Sequence, residues 1–297
     1  GNNERMVGAA LKTKRKQVYI CTKSHSSTKA EAMEHLETSL RELGTDYIDI
    51  WYLHSRKRAS DLNDDVLSAL ETAKQQGKIR FGGFSTHSNQ KELLKLAVDI
   101  PQVDVILTAY NFTMDKDLAK SVAVAEKAGK GIVGMKVMAG GFRKVKPGDR
   151  LYGKLKQGGT MLAALKWVLN DKNVTTTIPS ITDMEQLDEN LKAMSTSFTE
   201  EDRKLLARQL DYIQPLYCRT CGECEGHCPR GLPVSDMLRH LSYADGYGQF
   251  QLGRENFLRL PEQVRQVRCA DCGECAIQCP NGVEVAARLQ RAQELFS

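Results

Sequence analysis

The chain has 297 residues, 41% of them hydrophobic and 27% charged, enough for one large core and a small satellite. No apolar run approaches the roughly 18 residues of a membrane span. A net charge of +5, without a Lys/Arg stripe interleaved with aromatics, gives no reason to invoke nucleic acid.

In chain order, residues 2–15 read as an amphipathic helix with Met6, Val7, Ala10 and Leu11 on one side, and nothing reads as a signal peptide. Short β-rich runs then alternate with longer helical ones, each pair spanning roughly 25 to 30 residues, the rhythm of βα units. Strands are expected at 17–22, 47–53, 79–85, 103–109, 131–137 and 174–178, and helices at 28–43, 62–76, 90–98, 116–128 and 160–169. Thr28 facing Glu31 is a capping box at the head of the first of these helices, and Gly44 stops it. Cys21, inside an apolar run, reads as a buried strand cysteine. Parallel repetition of this kind closes into a barrel or lies open as a doubly wound sheet. No G-x-G-x-x-G turn follows an early strand, so the expectation is an α/β protein built on a (β/α)8 TIM barrel whose first two strands are absent from this chain. Chemistry in such a barrel sits at the C-terminal strand ends, which here carry Lys23, His54, Ser85, Tyr110, Asn111 and Lys136.

Lysine disappears near residue 210. From Asp211 onward nine arginines face eleven acids, while residues 1–210 hold 33 basic and 26 acidic side chains. The boundary divides the chain into 1–209 and 210–297. The second part says one phrase twice: Cys218-x-x-Cys221-x-x-Cys224-x-x-x-Cys228-Pro229 and Cys269-x-x-Cys272-x-x-Cys275-x-x-x-Cys279-Pro280. Three thiolates two residues apart wrap one face of an iron-sulfur cube, and the trailing Cys-Pro is turned away, to serve the other cluster. The reading is two [4Fe-4S] clusters with crossed ligation: Cys218, Cys221, Cys224 and Cys279 on one, Cys269, Cys272, Cys275 and Cys228 on the other. Zinc ribbons use paired Cys-x-x-Cys and have no use for a regular triple. Disulfides need an oxidising compartment, and cysteines this close together gain little from loop closure. Between the phrases, 234–242 and 254–267 read as short helices joined by a turn-rich 243–248, the layout of an α-helical ferredoxin-like domain. His25, His87 and His227 fall in loops without a companion at metal-ligand spacing, and no role is assigned to them.

Val18-Tyr-Ile-Cys-Thr-Lys23, Tyr47-Ile-Asp-Ile-Trp-Tyr-Leu-His-Ser55 and Gly77-Lys-Ile-Arg-Phe-Gly-Gly-Phe-Ser85 resemble the third, fourth and fifth barrel strands of the aldo/keto reductase family, of the iron-sulfur type that carries a 4Fe-4S ferredoxin domain. That family uses an Asp, a Tyr, a Lys and a His, and the resemblance makes Lys23 and His54 the last two. Residues 1–11 are similar to the stretch that follows the catalytic Tyr, so that the Tyr and Asp are expected just upstream of Gly1. The resemblance implies an NAD(P)H cofactor, with Ser85 on the nicotinamide carboxamide, Asn111 and Lys136 at neighbouring strand ends, and Ser180, Gln186 and Asn190 near its phosphates and adenine. Thr86, Leu107 and Met135 depart from the family's Asn, Gln and Tyr, and Thr182 and Asp183 stand where a basic residue meets the 2′-phosphate, which speaks against a strong NADPH preference.

The expected function is carbonyl/alcohol redox on a small molecule, coupled to electron transfer through both clusters and to a redox partner such as a ferredoxin or flavoprotein. The alternatives are a reductase with purely structural clusters and a non-catalytic electron-transfer protein on a barrel scaffold. The expected compartment is the cytoplasm, or an exported location if a twin-arginine leader precedes this chain.

Overall fold

The computed structural model describes residues 2–141, 159–181 and 183–297. Their contacts form two compact units: Gly1–Ala109 with Asp115–Met135 and Lys172–Thr177, and Tyr110–Met114 with Lys136–Asp171 and Ile178–Ser297.

The first unit holds a parallel sheet of β1 (Cys21–Ser24), β2 (Ile48–Leu53), β3 (Ile79–Thr86), β4 (Val105–Ala109), β5 (Gly131–Met135) and β6 (Thr176–Thr177). The strands lie side by side in sequence order. A doubly wound sheet reverses direction at a switch point, whereas a (β/α)8 barrel steps one strand at a time, as this sheet does. The helices of the unit are α1 (Asn2–Leu11), α2 (Lys29–Leu43), α3 (Asp64–Gln75), α4 (Gln90–Ala97) and α5 (Lys116–Lys127). In α2, the buried Ala32, Leu36, Leu40 and Leu43 recur at helical spacing and make one apolar stripe. Its capping box is half formed. The Thr28 hydroxyl accepts from Glu31 N at 3.3 Å, but the Glu31 carboxylate takes the N–H of Ser27 at 3.0 Å rather than that of Thr28. Gly44 ends the helix in the left-handed region at φ 63°.

Two expectations fail at the start of the chain. The first helix stops at Leu11 and a short 3-10 turn covers Arg15–Gln17, so the first strand is Cys21–Ser24 and not 17–22. Arg15 is the cause: it donates to Tyr47 O at 2.8 Å and Thr45 Oγ1 at 3.0 Å, and pairs with the buried Asp49 at 2.8 Å, which holds the preceding turn out of the ladder. Cys21 is exposed rather than buried. It lies on β1, whose one strand neighbour among the described residues is β2.

The second unit is helical. α6 (Thr160–Leu169) packs on α7 (Met184–Ser195) and α8 (Glu200–Ile213) around Ala163, Ala164 and Leu206. The nearly buried Lys166 pairs with Asp202 at 2.5 Å, and Asp202 also completes a capping box with Thr199. Beyond them come α9 (Val234–Asp245), α10 (Phe250–Leu258), α11 (Glu262–Gln266) and α12 (Val285–Phe296). Their core joins Val234, Met237, Leu241, Phe257, Leu289 and Phe296, with cysteines of both phrases packed against it. The expected 254–267 helix is two helices, because Pro261 lacks the N–H that would carry α10 onward. α9 runs into the expected 243–248 link as far as Asp245, whose carboxylate takes Arg288 and Arg291 from α12, both at 2.8 Å.

Candidate functional site

Strand parity decides which side chains meet at the end of the sheet. Register pairs Lys23 with Tyr52, Tyr52 with Gly83 and Gly83 with Val105. Alternate residues share a face, so Cys21, Lys23 and His25 stand with Tyr52 and His54, and these with Ser85, Leu107 and Val133. Below them Tyr52, Val105, Leu107 and Val133 form an apolar cluster with Ile50 and Met135.

At the mouth, the His25 and His54 rings stack with centroids 3.9 Å apart. The backbone N–H of His54 donates to Ser24 O at 2.7 Å, which fixes the end of β2 against β1. Burial, then His25, Lys23 and Arg56, push the His54 imidazole down to about 4, so it is neutral at physiological pH. Burial lowers the Lys23 ammonium below the ordinary lysine value, with Cys21 opposing. No carboxylate among the described residues pairs with Lys23. Arg56, itself buried, donates to Ser26 O at 2.6 Å and holds the loop after β1. Tyr52 is no acid: burial drives its phenol up, the reverse of what a proton donor needs. His25 is the residue that sequence reading passed over. The alternation Cys21-x-Lys23-x-His25, carried one step past the strand end, is the signal that places it beside His54.

Of the expected cofactor residues, Ser85 is buried at the same strand end and its Oγ accepts the Ser55 N–H at 2.9 Å, leaving its O–H to donate. Thr86 closes on itself, its hydroxyl donating to Ser88 O at 2.7 Å and accepting Ser88 N at 3.2 Å. Leu107 and Met135 belong to the apolar cluster.

The remaining expected residues lie in the second unit. The Asn111 amide donates to Lys136 O at 2.9 Å and to Tyr217 Oη at 3.3 Å, while its Oδ1 accepts from Thr113 N and Oγ1. The neighbouring Tyr110 hydroxyl donates to Asp171 at 2.7 Å. Lys136 has a left-handed backbone, φ 56°, and burial followed by Arg239 lowers its ammonium to about 8, with Cys218 opposing. Asp183 caps α7, accepting Gln186 N at 2.8 Å and Gln186 Nε2 at 2.8 Å, so a carboxylate already occupies this helix N-terminus. Ser180 is exposed, and Asn190 Nδ2 is a buried donor with no acceptor among the described residues. Thr182 falls outside the described residues.

The cysteines group across the two phrases. After burial, the thiols that raise Cys218 to about 12 are Cys224, Cys221 and Cys279, and those that raise Cys269 to about 11 are Cys228, Cys272 and Cys275. Each trailing cysteine thus acts on the other phrase's triple, the grouping that crossed ligation needs. Thr220 N donates to Cys218 Sγ at 3.3 Å and Asn281 Nδ2 to Cys221 Sγ at 3.5 Å, bonds that favour thiolates holding iron. No three His, Cys, Asp or Glu among the described residues converge as one bare ion requires. The donor set, eight thiols in two fours, suits clusters whose ligands stand further apart.

The family model for aldo/keto reductases matches residues 1–210, and that for a 4Fe-4S dicluster domain matches 217–284. The chain belongs to the aldo/keto reductase family. It is similar to the oxidoreductase YqkF of Bacillus subtilis, 26% identical over 69% of this chain and 78% of that one. The methylglyoxal reductase DkgB of Escherichia coli is 28% identical over the same shares. Among solved structures, an aldo-keto reductase of Bacillus halodurans in its holo form superposes with a TM-score of 0.57 at 27% identity, covering 69% of this chain and 76% of that chain. The aldo/keto reductase described here is therefore an oxidoreductase of the α/β barrel class with an iron-sulfur domain. Among its described residues no helix is long and apolar enough to cross a membrane.

Proposed function

We propose that this aldo/keto reductase interconverts a small-molecule carbonyl and alcohol at the Lys23 and His54 face, and that the reaction is coupled to one-electron transfer through two [4Fe-4S] clusters in residues 210–297. The neutral, half-buried His54 stacked on His25 carries the catalytic half of this reading. A neutral imidazole can donate a hydrogen bond to the substrate oxygen and orient it without offering a second full charge. The Lys23 ammonium, partly desolvated, favours negative charge developing nearby and lowers the pKa of the tyrosine that the family uses as proton donor. A nicotinamide, when bound, supplies or takes the hydride.

Ser85 is the polar contact this chain keeps for the carboxamide, while Thr86 is satisfied internally and Leu107 is apolar. Asn190, a buried donor without an acceptor among the described residues, supports an adenine contact. Asp183 at the head of α7 disfavours an added 2′-phosphate, so the grip on NADPH over NADH is weak. Cys218, Cys221, Cys224 and Cys279 hold one cluster, and Cys269, Cys272, Cys275 and Cys228 the other; clusters pass single electrons, whereas hydride carries two. A flavoprotein partner, whose flavin takes two electrons as hydride and releases them singly, reconciles the two currencies, while a ferredoxin partner exchanges single electrons with the clusters; the cytoplasm is the compartment in which such thiols stay reduced.

The cluster half is tested by composition. Purified without oxygen, the protein should carry about eight iron and eight sulfide, the content of two four-iron cubes. Four iron, or one zinc, contradicts it.

A further inference from the structure

We infer that Lys136 is a cation fixed beside the Cys218 phrase and that it raises the reduction potential of the cluster which that phrase holds. The inference rests on the assignment of Cys218, Cys221, Cys224 and Cys279 to one [4Fe-4S] cluster. Three features of the second unit lead to it.

The first is a tether. Asn111 Nδ2 donates both to Lys136 O at 2.9 Å and to the hydroxyl of Tyr217, the residue before Cys218, at 3.3 Å. Thr113 grips the other end of the amide through N, at 3.1 Å, and Oγ1, at 2.7 Å, so its orientation is set. One side chain therefore joins the backbone of Lys136 to the start of the ligand-bearing segment. Tyr217 itself is buried.

The second feature is a clamp. The turn after Lys136 continues through Gly140 at φ 82° and Gly141 at φ 67°. A Cβ on Gly246 would stand 2.0 Å from Gly140 O, and one on Gly141 3.0 Å from the Tyr247 ring, so the turn and the end of α9 touch backbone to backbone. Such an approach leaves the turn no room to swing. Lys136 keeps its left-handed backbone under this double hold, a conformation that a β-carbon-bearing residue adopts when its surroundings over-determine it.

The third is charge. The charged groups that act on the Lys136 ammonium are Arg239 and Cys218. Arg239 is neutralised by Asp236 at 2.9 Å, whereas no carboxylate among the described residues pairs with Lys136. Lys136 thus carries a positive charge with no carboxylate partner among the described residues, on a backbone that Asn111 ties to Tyr217, the residue before Cys218. Reduction adds one negative charge to a cluster, and cluster potentials follow net charge and hydrogen bonds at the sulfurs. A unit charge at the effective dielectric of protein interiors changes such an equilibrium by about tenfold at a separation near 10 Å.

The test uses the whole chain, loaded with iron without oxygen, and redox titration at pH 7 followed by electron paramagnetic resonance. Lys136→Met should lower one of the two cluster midpoints by about 59 mV, a tenfold shift for one electron, and leave the other in place. Lys136→Arg, with the same backbone demand and the charge kept, should restore it. Iron content is measured in parallel. Parental iron with both midpoints unmoved, or both lowered equally, overturns the inference. Loss of iron in both variants overturns it as well, since the residue then builds the fold and does not tune it. Parent protein with fewer than two clusters instead contradicts the ligand assignment on which the inference rests.

Discussion

In the proposed reaction Lys23 and His54 do different work on one face, and their environments separate the tasks. Each should be needed for carbonyl reduction and neither for the clusters. Lys23→Met and His54→Ala are expected to lower the rate by about 10² to 10⁴, the range for a positioned acid-base or electrostatic group. Steady-state assays alongside iron content and cluster absorbance check this, and full activity in both variants on every substrate the parent accepts would show that the barrel is only a scaffold. The protonation of His54 gives a second expectation. The unfolded imidazole takes a proton near 6.5 and the folded one only near 4, so the folded state binds fewer protons between those values. Its contribution to stability is whole above about pH 6.5, is lost as pH falls through that window, and levels off below about pH 4. Histidine NMR of the folded protein should show two imidazoles that do not titrate above about pH 5, His54 and the buried His240, both lowered to about 4, so the resonances must be assigned. A midpoint for His54 near 6.5 would remove the basis for calling it a neutral donor.

The elements divide by how local their causes are. The doubled cysteine phrase is legible because ligand spacing is a covalent matter, and the strand alternation is legible because the residues of each βα unit are neighbours in sequence. Register then converts alternation into a face, and Cys21, Lys23 and His25 could be read from parity alone. Other features depend on distant partners. The first strand begins late because Arg15 is claimed by Asp49, and the exposed Cys21 lies on a strand with one neighbour among the described residues. The hydrogen bonds of Asn111 to Lys136 O and to the Tyr217 hydroxyl join segments far apart in sequence, a contact that no local pattern announces. Thr86 and Leu107 depart in sequence from the residues expected of the family, but only the structure shows the Thr86 hydroxyl engaged by Ser88. At this scale the prediction concerns crossing. Cys279→Ala should damage the cluster of the first phrase more than that of the second, because Cys279 groups with Cys218, Cys221 and Cys224. Cluster-resolved paramagnetic resonance reads the difference, and greater loss at the second phrase would contradict crossing.

For the molecule as a whole, the question is whether hydride chemistry and single-electron chemistry meet. A barrel that carries Lys23 and His54, followed by a lysine-free module with two thiol sets, could hold two independent functions on one chain. On the proposed reading Thr86 and Leu107 offer a nicotinamide fewer polar contacts than the family's residues would, and this favours coupling, since a reductase that relied on nicotinamide alone would gain from keeping them. The decisive measurement is electron paramagnetic resonance of the anaerobic, iron-loaded protein poised with its clusters reduced, followed over time with and without a carbonyl substrate and with and without nicotinamide and a flavoprotein partner. Coupling predicts that cluster signals decay during turnover of the carbonyl in the parent and persist in Lys23→Met. Signals that hold steady while the parent turns the carbonyl over would show that the clusters are structural and that electron transfer plays no part in the reaction.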